Sequence, residues 1–191
     1  LQFHKKYYHP SNSYIYLYGD MDFEEKLNWL DEAYLSAFDY QKVDSEIKEQ
    51  MPFVKPVDVV KEYSITSDES EENNTYLSYN AVVGNVLDKE KYIAFQILDY
   101  ALCSAPGAPL KQWLTDKGIG TEIYSVYDNG VYQPYFSVVA KNADYNQKEE
   151  FVQTVEGELK RLVKEGISKK SLTAALNYFE FKYREEIGRA S

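Results

Sequence analysis

Thr121-Glu122-Ile123-Tyr124-Ser125-Val126-Tyr127-Asp128-Asn129-Gly130-Val131-Tyr132-Gln133-Pro134-Tyr135-Phe136-Ser137-Val138-Val139-Ala140-Lys141 is the stretch on which the fold turns. Its two arms, 121–127 and 131–141, are rich in β-branched and aromatic side chains, and Asp128-Asn129-Gly130 lies between them. Asn and Gly accept positive φ at small cost, so this order predicts an antiparallel hairpin. Pro134 lacks a backbone N–H and marks an edge or bulge in the second strand.

Outward from the hairpin, the pattern turns helical. Asp88–Ser104 is apolar around much of its circumference, through Ile93, Phe95, Ile97, Leu98, Ala101 and Leu102, and predicts a helix packed on several sides. Pro106-Gly107-Ala108-Pro109 breaks it, and Leu110–Leu114 makes a short helix closed at Gly118. Downstream, Gln147–Glu165 carries Phe151, Val155, Leu159 and Leu162 on one face, with Asn146 as cap, Glu149 in the capping-box position and Gly166 as stop. Ser168 opens a final helix with Leu172, Leu176, Phe179 and Tyr183 as its stripe. Upstream, Tyr63 and Ile65 alternate with polar residues, as do Leu77, Tyr79, Ala81 and Val83, and the acidic run 67–74 reads as a solvated loop between two strands. Strand, strand, helix, strand, strand, helix, helix gives an α+β fold: an antiparallel sheet with helices packed on one face.

The first third has a different character. Residues 1–9 read as a helix end stopped by Pro10. Tyr14-Ile15-Tyr16-Leu17-Tyr18 reads as a buried strand, and Asp22 with Glu25 caps a helix striped by Leu27, Leu30, Tyr34 and Phe38. One strand and one helix cannot bury both faces of a sheet, so this piece is expected to complete a sheet whose other strands lie elsewhere. Residues 51–60, with Pro52 and Pro56, read as a linker. The expected division is 1–50, 51–60 and 61–191.

Composition limits function. The net charge of -10 argues against duplex nucleic acid and against an anionic membrane surface as partners. Cys103, the sole cysteine, lies in an apolar run and reads as a small buried hydrophobe. One unpaired cysteine fits a reducing, cytoplasmic setting.

No motif carries chemistry. A zincin needs two histidines a helical turn apart with an adjacent glutamate. The chain's 2 histidines, His4 and His9, would point roughly 140° apart on a helix. No glutamate lies between them, so no metal site is expected. Glu24-Glu25, Glu71-Glu72, Glu149-Glu150 and Glu185-Glu186 read as solvated faces, since adjacent helical side chains diverge by about 100°. Gly118-Ile119-Gly120 lacks the third glycine of a phosphate cradle and precedes a strand. No catalytic residue and no bound cofactor are expected, and substrate-binding residues are left unassigned. Tyr124, Tyr127, Tyr132 and Tyr135 read either as a half-covered sheet face or as a wall that grips extended peptides.

Two stretches resemble the pitrilysin and insulinase superfamily of inverted-motif zinc peptidases, on the presequence-protease branch. The first is Tyr8-His9-Pro10-Ser11-Asn12 with its preceding helix end, the run Tyr14–Leu17, and Gly19-Asp20-Met21-Asp22. The second is Pro106–Leu110 with Leu114 and Gly118-Ile119-Gly120, where Ala108 stands in place of the family's serine. The resemblance implies an internal segment: 1–50 closing a zinc-binding domain and 61–191 forming the front of a second domain of like fold without zinc. It implies that the parent holds zinc upstream through H-x-x-E-H, degrades unstructured peptides in a closed chamber, and has its remaining domains as this segment's partners. A related interaction subunit that never carried zinc is the alternative. The family's terminal arginine and tyrosine lie far downstream, so Tyr183 and Arg184 inherit no role.

Overall fold

A computed structural model describes residues 1–189. The chain divides into two compact units, Leu1–Lys48 and a second from Glu49 onward.

In the first unit, α1 (Gln2–Tyr7) is followed by a 3-10 turn at Pro10–Asn12 and by α2 (Phe23–Ala33). Asp22 caps α2 as its spacing predicts, Oδ1 accepting from the Glu25 amide at 3.0 Å. The Tyr8-His9-Pro10-Ser11-Asn12 turn holds itself together. His9 Nδ1 accepts from the Ser11 amide at 3.2 Å, and Asn12 Nδ2 donates to the Tyr7 carbonyl at 2.9 Å. Tyr14–Tyr18 departs from expectation: it forms no ladder among the described residues, and its tyrosines lie exposed. A strand is stabilised by pairing and by a covered face, and this unit supplies neither.

The second unit is built as β1 (Thr75–Val82), α3 (Lys89–Asp99), α4 (Pro109–Asp116), β2 (Glu122–Asp128), β3 (Tyr135–Ala143), α5 (Lys148–Glu165) and α6 (Lys169–Arg189). The sheet has 3 antiparallel strands in the order β1-β3-β2. Leu77, Ala140 and Ile123 lie side by side across it, and all three are buried. Leu102, Leu110, Leu114, Phe151 and Val155 join them in one apolar cluster. α3 and α4 pack against β2 and α5 against β1, so the α+β architecture with helices on one face is observed. The opposite face, with Tyr76, Tyr124, Val126 and Tyr135, is exposed or half-exposed.

Four local differences have physical causes. The 61–66 segment forms no strand, leaving 3 strands where four were expected. β3 starts at Tyr135 rather than Val131, because it is the central strand and Pro134 has no N–H for a ladder. The long helix is regular only to Asp99. Tyr100–Ser104 is a π turn, closed by the Ala105 amide on the Tyr100 carbonyl at 2.8 Å. The cap before α5 is Asp144 rather than Asn146, with Gln147 completing a reciprocal capping box ahead of a 3-10 turn.

The glycine pair near α4 is structural. The Ile119 amide returns to the Leu114 carbonyl at 3.0 Å, with Gly118 in the left-handed region at φ 67°. Gly120 has φ +68°, and a Cβ there would lie 2.7 Å from the Lys141 carbonyl oxygen. Only glycine lets these two backbones approach so closely.

Residues 49–66 have no helix or strand and are pinned by polar contacts. The Gln50 amide donates to Gln133 Oε1 at 2.6 Å, Asn85 Nδ2 donates to Glu49 Oε1 at 2.5 Å, and Asp58 pairs with Lys148.

Candidate functional site

His4 and His9 do not converge. The His4 ring stacks on Tyr8 at 4.3 Å between centroids. His9 meets Phe38 edge-on at 5.5 Å and spends its Nδ1 lone pair on the Ser11 amide. That commitment does not fit a zinc ligand sharing a site with His4. Among the described residues, no group of three or more His, Cys, Asp or Glu is placed to hold a metal ion.

Two polar clusters interrupt the core of the second unit, and sequence reasoning missed both. Ser125 points to the helix-covered side of β2 and donates to Asp99 Oδ1 at 2.5 Å. Burial pushes the Asp99 carboxyl above its ordinary range, and the Ser125 hydrogen bond only partly offsets this. Beside them Cys103 is buried, as expected, and burial pushes its thiol up to about 11. A thiol so far from ionisation is a poor nucleophile. The only sequence signal was a serine and an aspartate on faces that should be apolar.

The second cluster is Glu158 on α5, whose side chain is fully buried. Arg161 clamps it with Nε at 2.9 Å and Nη2 at 2.5 Å, and reaches Glu165 through Nη1 at 2.6 Å. The guanidinium lies 5.8 Å from the Trp113 ring centroid. A fully buried carboxylate held at both oxygens by one arginine is closed off from any substrate, and the guanidinium's place over Trp113 ties α5 to α4.

The tyrosine wall divides. The register places Tyr124 opposite Val139 on the open face and Tyr127 opposite Phe136 on the covered face. Tyr127 stacks on Phe95 at 5.6 Å and belongs to the helix interface. Tyr135 shares the open face with Tyr124, and Tyr132 lies in the loop before β3. Tyr124 and Tyr127 are three positions apart, an odd interval that puts them on opposite sides of a strand. Tyr183 donates to Gln96 Oε1 and Arg184 pairs with Glu180, both as parts of helix packing or a helix surface.

What remains is an open sheet face of tyrosine, valine, serine and asparagine. Along it Ser137 Oγ donates to Asn80 Oδ1 at 2.6 Å and Asn80 Nδ2 donates to Ser78 Oγ at 3.0 Å. Lys141 is paired with Glu122 at 3.5 Å. The face can form hydrogen bonds and apolar contacts, and its charged groups are the Glu122–Lys141 ion pair and Asp128 beside Tyr135. No helix among the described residues is long and apolar enough to cross a membrane.

Residues 1–179 match the family described as Peptidase M16 inactive domain. Protein HypA of Clostridium perfringens is 45% identical over 185 residues, covering 97% of this chain and 19% of its own length. Presequence protease 1, chloroplastic/mitochondrial, of Arabidopsis thaliana is 31% identical over 188 residues, covering 96% of this chain and 17% of its own. The chain thus spans about a fifth of the curated relatives it matches. A solved inactive peptidase domain from Bordetella parapertussis superposes with a TM-score of 0.51 at 12% identity, over 60% of this chain and 66% of that one, a likeness of fold alone.

Proposed function

The chain belongs to the inactive-domain family of the M16 peptidases, on their presequence-protease branch, and from that premise we propose that it serves as framework and wall in a zinc endopeptidase that degrades unstructured peptides inside a closed chamber. Its family makes it a non-catalytic segment of an M16-like peptidase. In this reading, residues 1–50 close the zinc-binding domain, 51–60 link, and 61–191 form the front of the second domain. The zinc is assigned to the parent, upstream of this segment, and the engagement of His4 and His9 in other contacts supports leaving it out of these residues. When bound there, the metal supplies an activated water. This segment's own share is to present the open sheet face and to hold it rigid through the buried core. A cytoplasmic setting is proposed from the lone, buried Cys103.

One observation carries the reading. From Leu1 to Lys48 no residue is buried, although this stretch holds the aromatic run Tyr14–Tyr18 and the helix with Phe23, Leu27 and Trp29. Apolar surface of that extent needs cover, and the remainder of the parent is the proposed cover.

The test compares two proteins on a fluorogenic unstructured peptide with metal analysis. The full parent is expected to cleave it, to lose activity to a chelator and to contain zinc, whereas residues 1–191 alone neither cleave the peptide nor hold zinc. Metal-dependent turnover by the 191-residue chain would overturn the reading. A parent without H-x-x-E-H, inert yet binding peptides or other subunits, would select the interaction subunit instead.

A further inference from the structure

Asn129-Gly130 lies in the irregular stretch between β2 and β3, outside every helix and strand. Asparagine is a labile residue because the next backbone nitrogen can attack its side-chain carbonyl, and a following glycine leaves that approach unhindered. Asn129 is the chain's only asparagine followed by glycine.

Folding restrains the other asparagines. Asn12, Asn74, Asn80, Asn85 and Asn142 each donate their side-chain amide to another group. Asn28 and Asn177 lie inside helices, and the backbone amide after Asn146 is bonded to the Asp144 carbonyl at 3.0 Å. Asn73 is followed by Asn74, whose Cβ crowds the attack. The Asn129 side chain makes no hydrogen bond among the described residues. The nitrogen next to it is already oriented, since the Gly130 amide donates to Asp128 Oδ1 at 3.1 Å.

We propose that Asn129 is a self-modification site, converted through a succinimide to aspartate and isoaspartate with Asp128 handling the proton. The Gly130 nitrogen attacks Asn129 Cγ and the Cγ–Nδ2 bond breaks. The Gly130 amide proton passes through the Asp128 carboxylate to the departing nitrogen, which leaves as ammonia. One water then opens the ring at either carbonyl. Isoaspartate routes the main chain through the former side-chain carbon, so the loop gains a backbone atom. The Tyr132 and Pro134 carbonyls are held by the Val86 and Val83 amides at 3.0 and 2.9 Å, and Gln133 is held by Gln50. The slack therefore falls on residues 129–131. Either product sets a new negative charge beside Asp128, at the end of the open sheet face, in a chain already at -10.

The test incubates the full chain at neutral pH and follows its tryptic peptides by mass. Residues 118–141 form one such peptide, and Asn129 is its only asparagine. It should gain about 1 Da ahead of every other asparagine-bearing peptide, with isoaspartate present as a substrate for isoaspartyl methyltransferase. Gly130→Ala adds a methyl that meets Asp128 Oδ1 at an ordinary 3.5 Å, and should slow the gain at least ~tenfold without changing the melting temperature. Asp128→Ser keeps a hydroxyl acceptor for the Gly130 amide but no base, and should slow it severalfold. The proposal fails if Asn129 converts no faster than Asn12 or Asn73, or if the product is aspartate alone. It fails equally if the rate is unchanged by Gly130→Ala or by Asp128→Ser.

Discussion

The two units follow the same local rules and end in different states. Asp22 caps α2 as well as Asp88 caps α3, with amide contacts of 3.0 and 3.1 Å. Yet α3 leads into a turn whose Ala101, Leu102 and Cys103 are buried, while α2 leaves Leu27 and Trp29 exposed. Local signals place helix starts, but burial needs a second layer, and only the second unit brings one.

The comparison breaks most sharply in the core of the second unit. Phe151→Ala removes a ring that is 1% exposed and is expected to lower that unit's unfolding free energy by ~4 kcal/mol. Urea denaturation followed by near-ultraviolet dichroism measures it. A loss under ~1 kcal/mol would mean the cluster is not a packed core.

Next is Gly120→Ala, which forces a Cβ toward the Lys141 carbonyl at positive φ and should cost ~3 kcal/mol. Gly118→Ala, with nothing within 4 Å of its new methyl, should cost less. Equal losses in the two variants would show that strain, not contact, sets the requirement at Gly120.

A smaller effect tests the polar break in the core. The folded chain holds the Asp99 proton more tightly than the unfolded one, because burial raises its pKa. The stability from this group is therefore complete below the unfolded pKa and is lost as pH rises through the higher folded value. Asp99→Asn keeps an acceptor for Ser125 and cannot ionise. It should melt above the parent sequence at pH ~7 and lose that advantage as pH falls toward ~3. An advantage independent of pH would assign the gain to packing instead.

The smallest effect sharpens the other side of the comparison. Leu27→Ala, on a side chain 55% exposed, should change the stability of the chain by no more than ~0.5 kcal/mol. In the full parent the same substitution should cost at least ~2 kcal/mol if other domains cover this helix. Equal effects in both settings would remove the case for missing cover.

Legibility in the sequence obeys the same division. The β2–β3 pairing, the helix with Phe151 and Val155, the Asp22 cap and the Gly166 stop are local periodicities or single-residue geometries, and the chain spells them out. Tyr14–Tyr18 and Tyr63–Ile65 have strand-like composition, but a strand exists only with its neighbour, and no pattern within five residues states whether a neighbour comes. The Asp144 cap escapes a sequence reading because Asn146, two positions later, is an equally good capping residue. Asp99 with Ser125, and Glu158 with Arg161, are hidden among many charged residues, and only tertiary packing shows which of them lie inside. The tyrosine wall fails as a single surface because clustering in sequence is not clustering on a face: Tyr124 and Tyr127 differ by an odd interval.

The π turn after α3 also answers a problem of phase. In an unbroken α-helix every side chain keeps a fixed bearing relative to the first turn, so a stripe aimed at a sheet stays aimed there. Phe95 meets Tyr127 and Phe136 on the strands, whereas Tyr100 stacks against Tyr178 of α6 at 4.5 Å. The wide loop from Tyr100 to Ala105 accommodates one extra residue, rotating the downstream side chains by about 100°. The rod holds both neighbours along its length: Gln96 in its regular part meets Tyr183 of α6, while Leu102 and Cys103 within the wide turn stay in the buried cluster against the sheet. Deleting one residue between Tyr100 and Ser104 would restore the regular spiral and turn whatever follows it by about 100°, away from the bearing it now holds against the core.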